Sequence, residues 1–338
     1  MSRFISRRTF LGAGTAAAGT LFNALTLRNA HAWPPGPEEY VKKDLKPGNT
    51  PIRLGTFLLL DPNAKQDPAA MVEELAKNGY TGYFVDRYTT WENIPDSQLQ
   101  AFKAALKQYD AVVFEVPGYT NMLNPDKAAR QENLKGLAKS IETADRLGCP
   151  MVGTISGSCD NKTSGINVHP DNWTESTWKV LVDGVKQVLK DTAGMKAALG
   201  MEAQVTTNLD GPKAQRRLMD DVGDSRCAVN FDPTNMISLA NYYHTTELLQ
   251  ECFGILGEGI LGAHAKDTYI LPDSQTVHVQ EVCPGRGVMD YETFLVGLSR
   301  LKWSRTLMPE HFPVEQVPEA ITYIKKVAEK VGVKLYKA

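Results

Sequence analysis

The sequence predicts an α/β fold, a single (β/α)8 barrel, on three observations. Eight short apolar runs alternate with eight helix-length segments. The last four runs close, one after another, on Glu202, Asp232, His264 and Glu310. In a parallel barrel, residues at the C-terminal strand ends gather at one rim, where the active sites of this architecture lie. No GxGxxG follows the first run, which weighs against a doubly wound dinucleotide-binding sheet, the main structural competitor.

The N-terminus reads as an address rather than as fold. Ser6-Arg7-Arg8-Thr9-Phe10-Leu11-Gly12 is a twin-arginine export pattern, an apolar Ala- and Gly-rich stretch follows, and Ala30-His31-Ala32 supplies the small residues of a cleavage site. Residues 1–32 are therefore assigned to a signal peptide that engages the twin-arginine translocase, with a periplasmic or otherwise exported product. The apolar stretch is too short for a comfortable membrane span. Residues 33–50, rich in Pro, Gly and Lys, form a surface arm, and 51–338 form the barrel.

Strands are expected at 52–58, 80–85, 111–116, 151–155, 199–205, 228–231, 260–265 and 306–308. Runs such as Ala111-Val112-Val113-Phe114 lack alternation, as strands buried on both faces do. Helices are expected at 68–78, 96–108, 126–147, 173–195, 211–221, 245–256, 291–301 and 317–331. Asp126 and Ser97 or Asp96 are N-cap candidates. Asn78-Gly79, Leu147-Gly148 and Leu199-Gly200 read as helix stops before inner strands. Val317, Ala320, Ile321, Ile324, Val327 and Ala328 share one face of a 3.6-residue period. Two polar segments, 156–173 and 268–289, are expected as long loops over the barrel mouth, where binding loops belong.

Length and charge narrow the function. A chain of 338 residues fits one barrel of about 250 residues with extensions. A net charge of -2 gives no reason to expect nucleic acid as a partner. A homo-oligomer is compatible with the composition. The five cysteines (149, 159, 227, 252 and 283) form no CxxC pair. Cys149 and Cys227 sit in apolar surroundings as small core residues, and a disulfide among the other three is open in an oxidising compartment.

Three carboxylates and one imidazole at successive strand ends suit one divalent metal ion. Manganese is favoured, with magnesium, cobalt and zinc as alternatives. Glu202, Asp232, His264 and Glu310 are the expected ligands. A lone strand-end carboxylate is more often a cap or an ion-pair partner; it is the run of four that points to a metal. Asp86 and Arg87 end the second strand and Glu115 the third; Asp86 and Glu115 are candidate substrate contacts, with rim ion pairs as the competing reading. Trp173 and Trp178 read as packing rather than as a sugar platform, and His169 and His278 as surface residues in mouth loops.

Gly200-Met201-Glu202, Asn230-Phe231-Asp232-Pro233-Thr234-Asn235, His264-Ala265-Lys266-Asp267, Pro284-Gly285-Arg286-Gly287 and Pro309-Glu310 together resemble the xylose isomerase-like barrel superfamily. That superfamily includes sugar epimerases, inosose dehydratases and endonuclease IV-type enzymes, and the resemblance covers roughly residues 52–331. It implies that Glu202 and Glu310 bind the metal and also exchange a proton on opposite faces of a carbon beside a carbonyl, through an enediolate. Lys266 joins them as a catalytic candidate. The sequence departs from the sugar epimerase pattern at Asn208, where a second glutamate is frequent, at Asn235, where histidine is frequent, and at Arg286, where glutamate is frequent. These departures imply a different oxygen pattern or an acidic group on the substrate, and they make Asn208, Asn235 and Arg286 substrate-binding candidates.

The expected function is a metal-dependent isomerase or epimerase acting on a carbohydrate or polyol. A lyase or dehydratase acting on a keto-sugar or keto-glycoside is the alternative, and a non-catalytic sugar-binding barrel a more distant one. DNA cleavage is disfavoured, because the multi-metal relatives use many histidines and only His264 clearly ends a strand here.

Overall fold

The computed structural model describes residues 43–60, 66–160, 165–272 and 275–336. The expected signal peptide and residues 33–42 of the expected arm lie outside these. Eight parallel strands close into a barrel: β1 (Arg53–Leu58), β2 (Gly82–Val85), β3 (Val112–Pro117), β4 (Met151–Ile155), β5 (Ala198–Glu202), β6 (Cys227–Phe231), β7 (Ile260–Ala265) and, after an inserted pair, β10 (Thr306–Pro309). β10 pairs with both β7 and β1, which completes the ring.

The helices follow from capping and from apolar faces. α1 (Pro68–Lys77) begins at Asp67, which caps Ala69 N and precedes a proline at the first helical position. A short α2 (Tyr88–Trp91) was not expected from the sequence. α3 (Asp96–Gln108) starts after Pro95 with no side-chain cap, so Asp96 is its first acidic residue and neither it nor Ser97 is the cap. α4 (Lys127–Leu147) is capped by Asp126 and stopped by Gly148 at φ 76°, the left-handed position that glycine fills without strain. α5 (Glu175–Asp191) ends four residues short of expectation, where Thr192 bonds back to Val188 O. α6 (Pro212–Val222), α7 (Thr245–Leu256), α8 (Tyr291–Ser299) and α9 (Val317–Val331) complete the outer ring. In α9, Ala320, Ile321, Ile324, Val327 and Ala328 are buried, as their spacing requires.

Leu199-Gly200 is not a helix stop. Gly200 lies inside β5, and a Cβ there would collide with Met151. Met151, Phe114 and Met308 fill the barrel interior, and Gly262 leaves the space that Phe114 occupies. Two larger apolar layers pack the helices onto the strands. All five cysteines are free, and Cys149, Cys227, Cys252 and Cys283 are buried.

The segment after β7 differs most from expectation. It forms an antiparallel hairpin, β8 (Asp267–Ile270) with β9 (Val279–Val282), rather than a plain loop. Its root is Asp267, buried, whose carboxylate accepts from the backbone N–H groups of Thr268, Gly285, Gly287 and Met289 at 2.9 to 3.0 Å. A side chain at position 287 would collide with that carboxylate. The Pro284-Gly285-Arg286-Gly287 motif is thus a backbone wrap around Asp267. Residues 43–50 run along α8: Lys43 pairs with Asp290 at 3.0 Å, and Gly48 N donates to Ser299 Oγ at 2.9 Å.

Candidate active site

Consecutive strands of the ring bring four side chains to one end of the barrel. Glu202 is the last residue of β5, Asp232 follows β6, His264 is in β7 and Glu310 follows β10. Ligand atoms of Glu202, Asp232 and His264 all lie within 4.8 Å of one another. His264 Nδ1 faces the carboxylates, at 3.0 Å from Glu310 Oε1, 3.7 Å from Glu202 Oε2 and 3.9 Å from Asp232 Oδ2. All four residues are buried.

The second imidazole nitrogen fixes the ring. His264 Nε2 lies 2.9 Å from Glu115 Oε2. Glu115 comes from β3 on the far side of the barrel and is 0% exposed. Gly153 makes room for it, since a Cβ there would collide with the Glu115 carboxylate. Glu115 therefore lies beneath the mouth and does not reach it. Its carboxylate is taken up by His264, Tyr119 and Asn230, an arrangement that orients the imidazole as outer carboxylates do in metal sites.

Polar residues also hold Glu202. Its Oε2 accepts from Tyr119 Oη at 2.7 Å and Asn230 Nδ2 at 3.2 Å, and its Oε1 from Asn235 Nδ2 at 2.6 Å and Gln204 Nε2 at 3.3 Å. Tyr119 Oη, with a single proton to share, also lies 2.9 Å from Glu115 Oε1. Asn235 is thus brought into the cluster. Tyr119 and Asn230 were missed in the sequence. Asn230 had a signal, because it stands two residues before Asp232, which the two-residue period of a strand puts on the same face. Tyr119 lies in the turn after β3, where no periodicity marks it.

Lys266 is 1% exposed, with its Nζ 2.6 Å from Asp232 Oδ2, 3.0 Å from Glu310 Oε1, 3.0 Å from His311 Nδ1 and 3.5 Å from Glu281 Oε1 of the hairpin. It lies inside the cluster, against the Asp232 and Glu310 carboxylates. Glu281 arrives only because the hairpin folds over the mouth. His311, at φ 63°, meets Glu281 Oε2 at 3.1 Å.

The remaining candidates lie elsewhere. Asp86 accepts from Leu60 N, which ties the ends of β2 and β1 together. Arg286 points to α9, where its guanidinium makes a two-pronged pair with Glu319 at 2.8 and 2.5 Å. Asn208 lines a recess between α5 and α6. None of the three makes a hydrogen bond to the cluster. His169 caps a short turn through Asp171 N, and His278 meets Thr276.

Charge balance separates the two glutamates. Burial pushes Glu202 up to about 7, against the pull of His264 and Lys266. Burial also works against the charged form of Glu310, but His264 and Lys266 outweigh it and hold that carboxyl well below the usual range. Burial opposes charge on His264 and Lys266, and the surrounding carboxylates reverse it, raising both well above their ordinary values. The cluster is therefore a nest of carboxylates that holds cations. His264 Nδ1 and Asp232 Oδ2, though close to charged neighbours, have no aligned hydrogen-bond partner. Buried polar atoms are rarely left so, and the atoms concerned are of the type that ligates a divalent ion. The residues fit such an ion.

A closed parallel barrel with buried carboxylates and a histidine at its strand ends defines the class of protein. The chain belongs to the family described as "Xylose isomerase-like TIM barrel", whose profile matches residues 72–327. Solved structures share the fold. Endonuclease IV from Thermus thermophilus has a TM-score of 0.62 at 17% identity, covering 82% of this chain and 99% of that one. The IOLI protein, solved with a binding zinc atom, has a TM-score of 0.58 at 16% identity, covering 83% and 98%. The 3-keto-D-glucoside 4-epimerase from E. coli has a TM-score of 0.57 at 14% identity, covering 81% and 99%. No curated protein matches the chain in sequence.

Proposed function

We propose that the protein is a divalent-metal-dependent isomerase or epimerase that moves a proton on a carbohydrate carbon next to a carbonyl. The observation that carries this reading is the clustering of Glu202, Asp232 and His264 ligand atoms within 4.8 Å, with Glu310 beside His264 Nδ1. Glu202, Asp232, His264 and Glu310 would hold the ion, with manganese favoured and magnesium, cobalt and zinc as alternatives. A bound ion supplies Lewis-acid stabilisation of the negative charge that develops on a carbonyl oxygen as the neighbouring carbon loses its proton.

The residues divide the remaining work. Glu202 and Glu310 are carboxylates whose environments push their proton affinities in opposite directions, the pattern of an acid and base pair. Glu202 takes or returns a proton at one face of the carbon, and Glu310 does so at the other. Asn235, Gln204 and Tyr119 fix the Glu202 carboxylate so that its lone pairs stay aimed at the substrate. Glu115 fixes the His264 ring, and Lys266 bridges Asp232 and Glu310, 2.6 and 3.0 Å from their oxygens.

An elimination on a keto-sugar is the second reading. It is favoured by Tyr119, a phenol that donates to Glu202 and could instead protonate a departing hydroxyl. The experiment incubates metal-loaded protein in deuterated water with ketoses, keto-sugars and keto-glucosides, and follows deuterium entry next to the carbonyl. We expect metal-dependent incorporation that a chelator abolishes. An epimer as product supports the first reading and an unsaturated sugar the second. No incorporation in any of these compounds would overturn both.

The substrate is expected to be unphosphorylated, because the twin-arginine pattern points to export. Arg7→Lys combined with Arg8→Lys is expected to leave the protein in the cytoplasm. Normal export of the double variant would remove this reading of location.

A further inference from the structure

A recess of about 270 Å³ opens beside the N-terminal turns of α5 and α6, on the strand-end side of the barrel. Trp173, Trp178, Asn208, Asp210, Lys213 and Arg217 contribute to its lining. The two tryptophans are used differently. Trp178 is packed: its indole N–H donates to Asp221 Oδ2 at 2.7 Å, and the Arg217 guanidinium stacks 4.3 Å from its ring centre. Trp173 is 47% exposed and is held at one point, by a 3.3 Å bond from Nε1 to Asp210 Oδ2.

Asn208 supplies the second observation. It is 7% exposed, yet neither its side-chain oxygen nor its nitrogen has a hydrogen-bond partner. Leaving such a group unpaired is unfavourable, which a ligand able to both donate and accept would offset.

The cations in the lining are already paired, Lys213 with Glu251 at 2.8 Å and Arg217 with Glu175 at 2.6 Å. Asp210 adds negative charge. An anion therefore gains little here, whereas an aromatic surface, a free amide and a carboxylate suit the face and hydroxyls of a sugar ring. The volume lies just below the roughly 300 Å³ at which pockets for drug-sized ligands begin, enough for one ring. We propose that this recess is a binding subsite for one neutral carbohydrate unit, outside the catalytic mouth. The loop 203–210 joins the two places. Gln204 bonds to Glu202 and Val205 N to Asn235 O at the mouth, while Asn172 Nδ2 holds Thr206 O and Asn208 lines the recess.

The test titrates the full-length, metal-loaded protein with methyl β-glucoside, maltose and cellobiose, following tryptophan fluorescence and calorimetric heat. At least one of these sugars is expected to bind. Trp173→Ala and Asn208→Ala should each weaken that binding by about tenfold or more, equivalent to about 1.4 kcal/mol. Trp173→Phe, which keeps a ring, should retain most of it. His264→Ala, which disables the mouth, should leave it within about twofold, a change of well under 1 kcal/mol. Binding of none of the three sugars would overturn the proposal. So would binding that survives Trp173→Ala but disappears in His264→Ala, which would assign it to the mouth. Because Trp173 is exposed, its replacement leaves the fold intact, and an unchanged melting curve checks this.

Discussion

Glu202→Gln is expected to lower proton exchange at the substrate carbon by about 100- to 10,000-fold, the usual contribution of a positioned general base. The amide is nearly the same size and keeps one oxygen, so metal binding should weaken without disappearing. It cannot take a proton, and its NH₂ would face Asn235 Nδ2 or Tyr119 Oη, two groups that now donate to the carboxylate. Glu310→Gln should produce a comparable loss if the enzyme works on opposite faces of the carbon. In a one-base elimination, only one of the two changes would be this damaging. The measurement is deuterium exchange on metal-reconstituted variants. Wild-type exchange in both variants would end the assignment of these glutamates as the proton-transfer pair.

His264→Ala should reduce divalent-ion affinity by at least about 100-fold, because it removes the one nitrogen ligand and the group around which the carboxylates are arranged. The variant should stay folded. His264 lies at the rim, while the apolar layers between strands and helices carry stability. Glu115→Gln is the more discriminating change. It leaves the four proposed ligands in place and alters the carboxylate that meets His264 Nε2, Tyr119 and Asn230, so a loss of about 10- to 100-fold is expected, as for other outer-shell partners. Metal titration followed by calorimetry measures both, with melting curves as the control for folding. Full metal affinity in both variants would mean that the ion does not sit at this cluster.

The sequence by itself determined the barrel and the four side chains that gather at its rim. Strand ends recur at helix-length intervals, and a parallel barrel turns that order along the chain into proximity at one rim, so Glu202, Asp232, His264 and Glu310 could be named before any coordinates. Local capping was legible for the same reason: Asp126 and Gly148 act on their own backbone. Only the tertiary structure decided what crosses the barrel or folds over it. Glu115 reaches His264 from 149 residues away in sequence. Glu281 arrives on a hairpin that read as a polar loop, because β9 is exposed at Val279, Gln280 and Glu281 and neither strand carries an apolar run. Arg286 sat in a motif that resembled a site, yet its glycine neighbours serve the wrap around Asp267, and its side chain is carried outward to Glu319. Spacing along a chain fixes which residues share a strand end. Which way a loop turns afterwards depends on backbone hydrogen bonds and on partners distant in sequence, and residue type alone does not encode those.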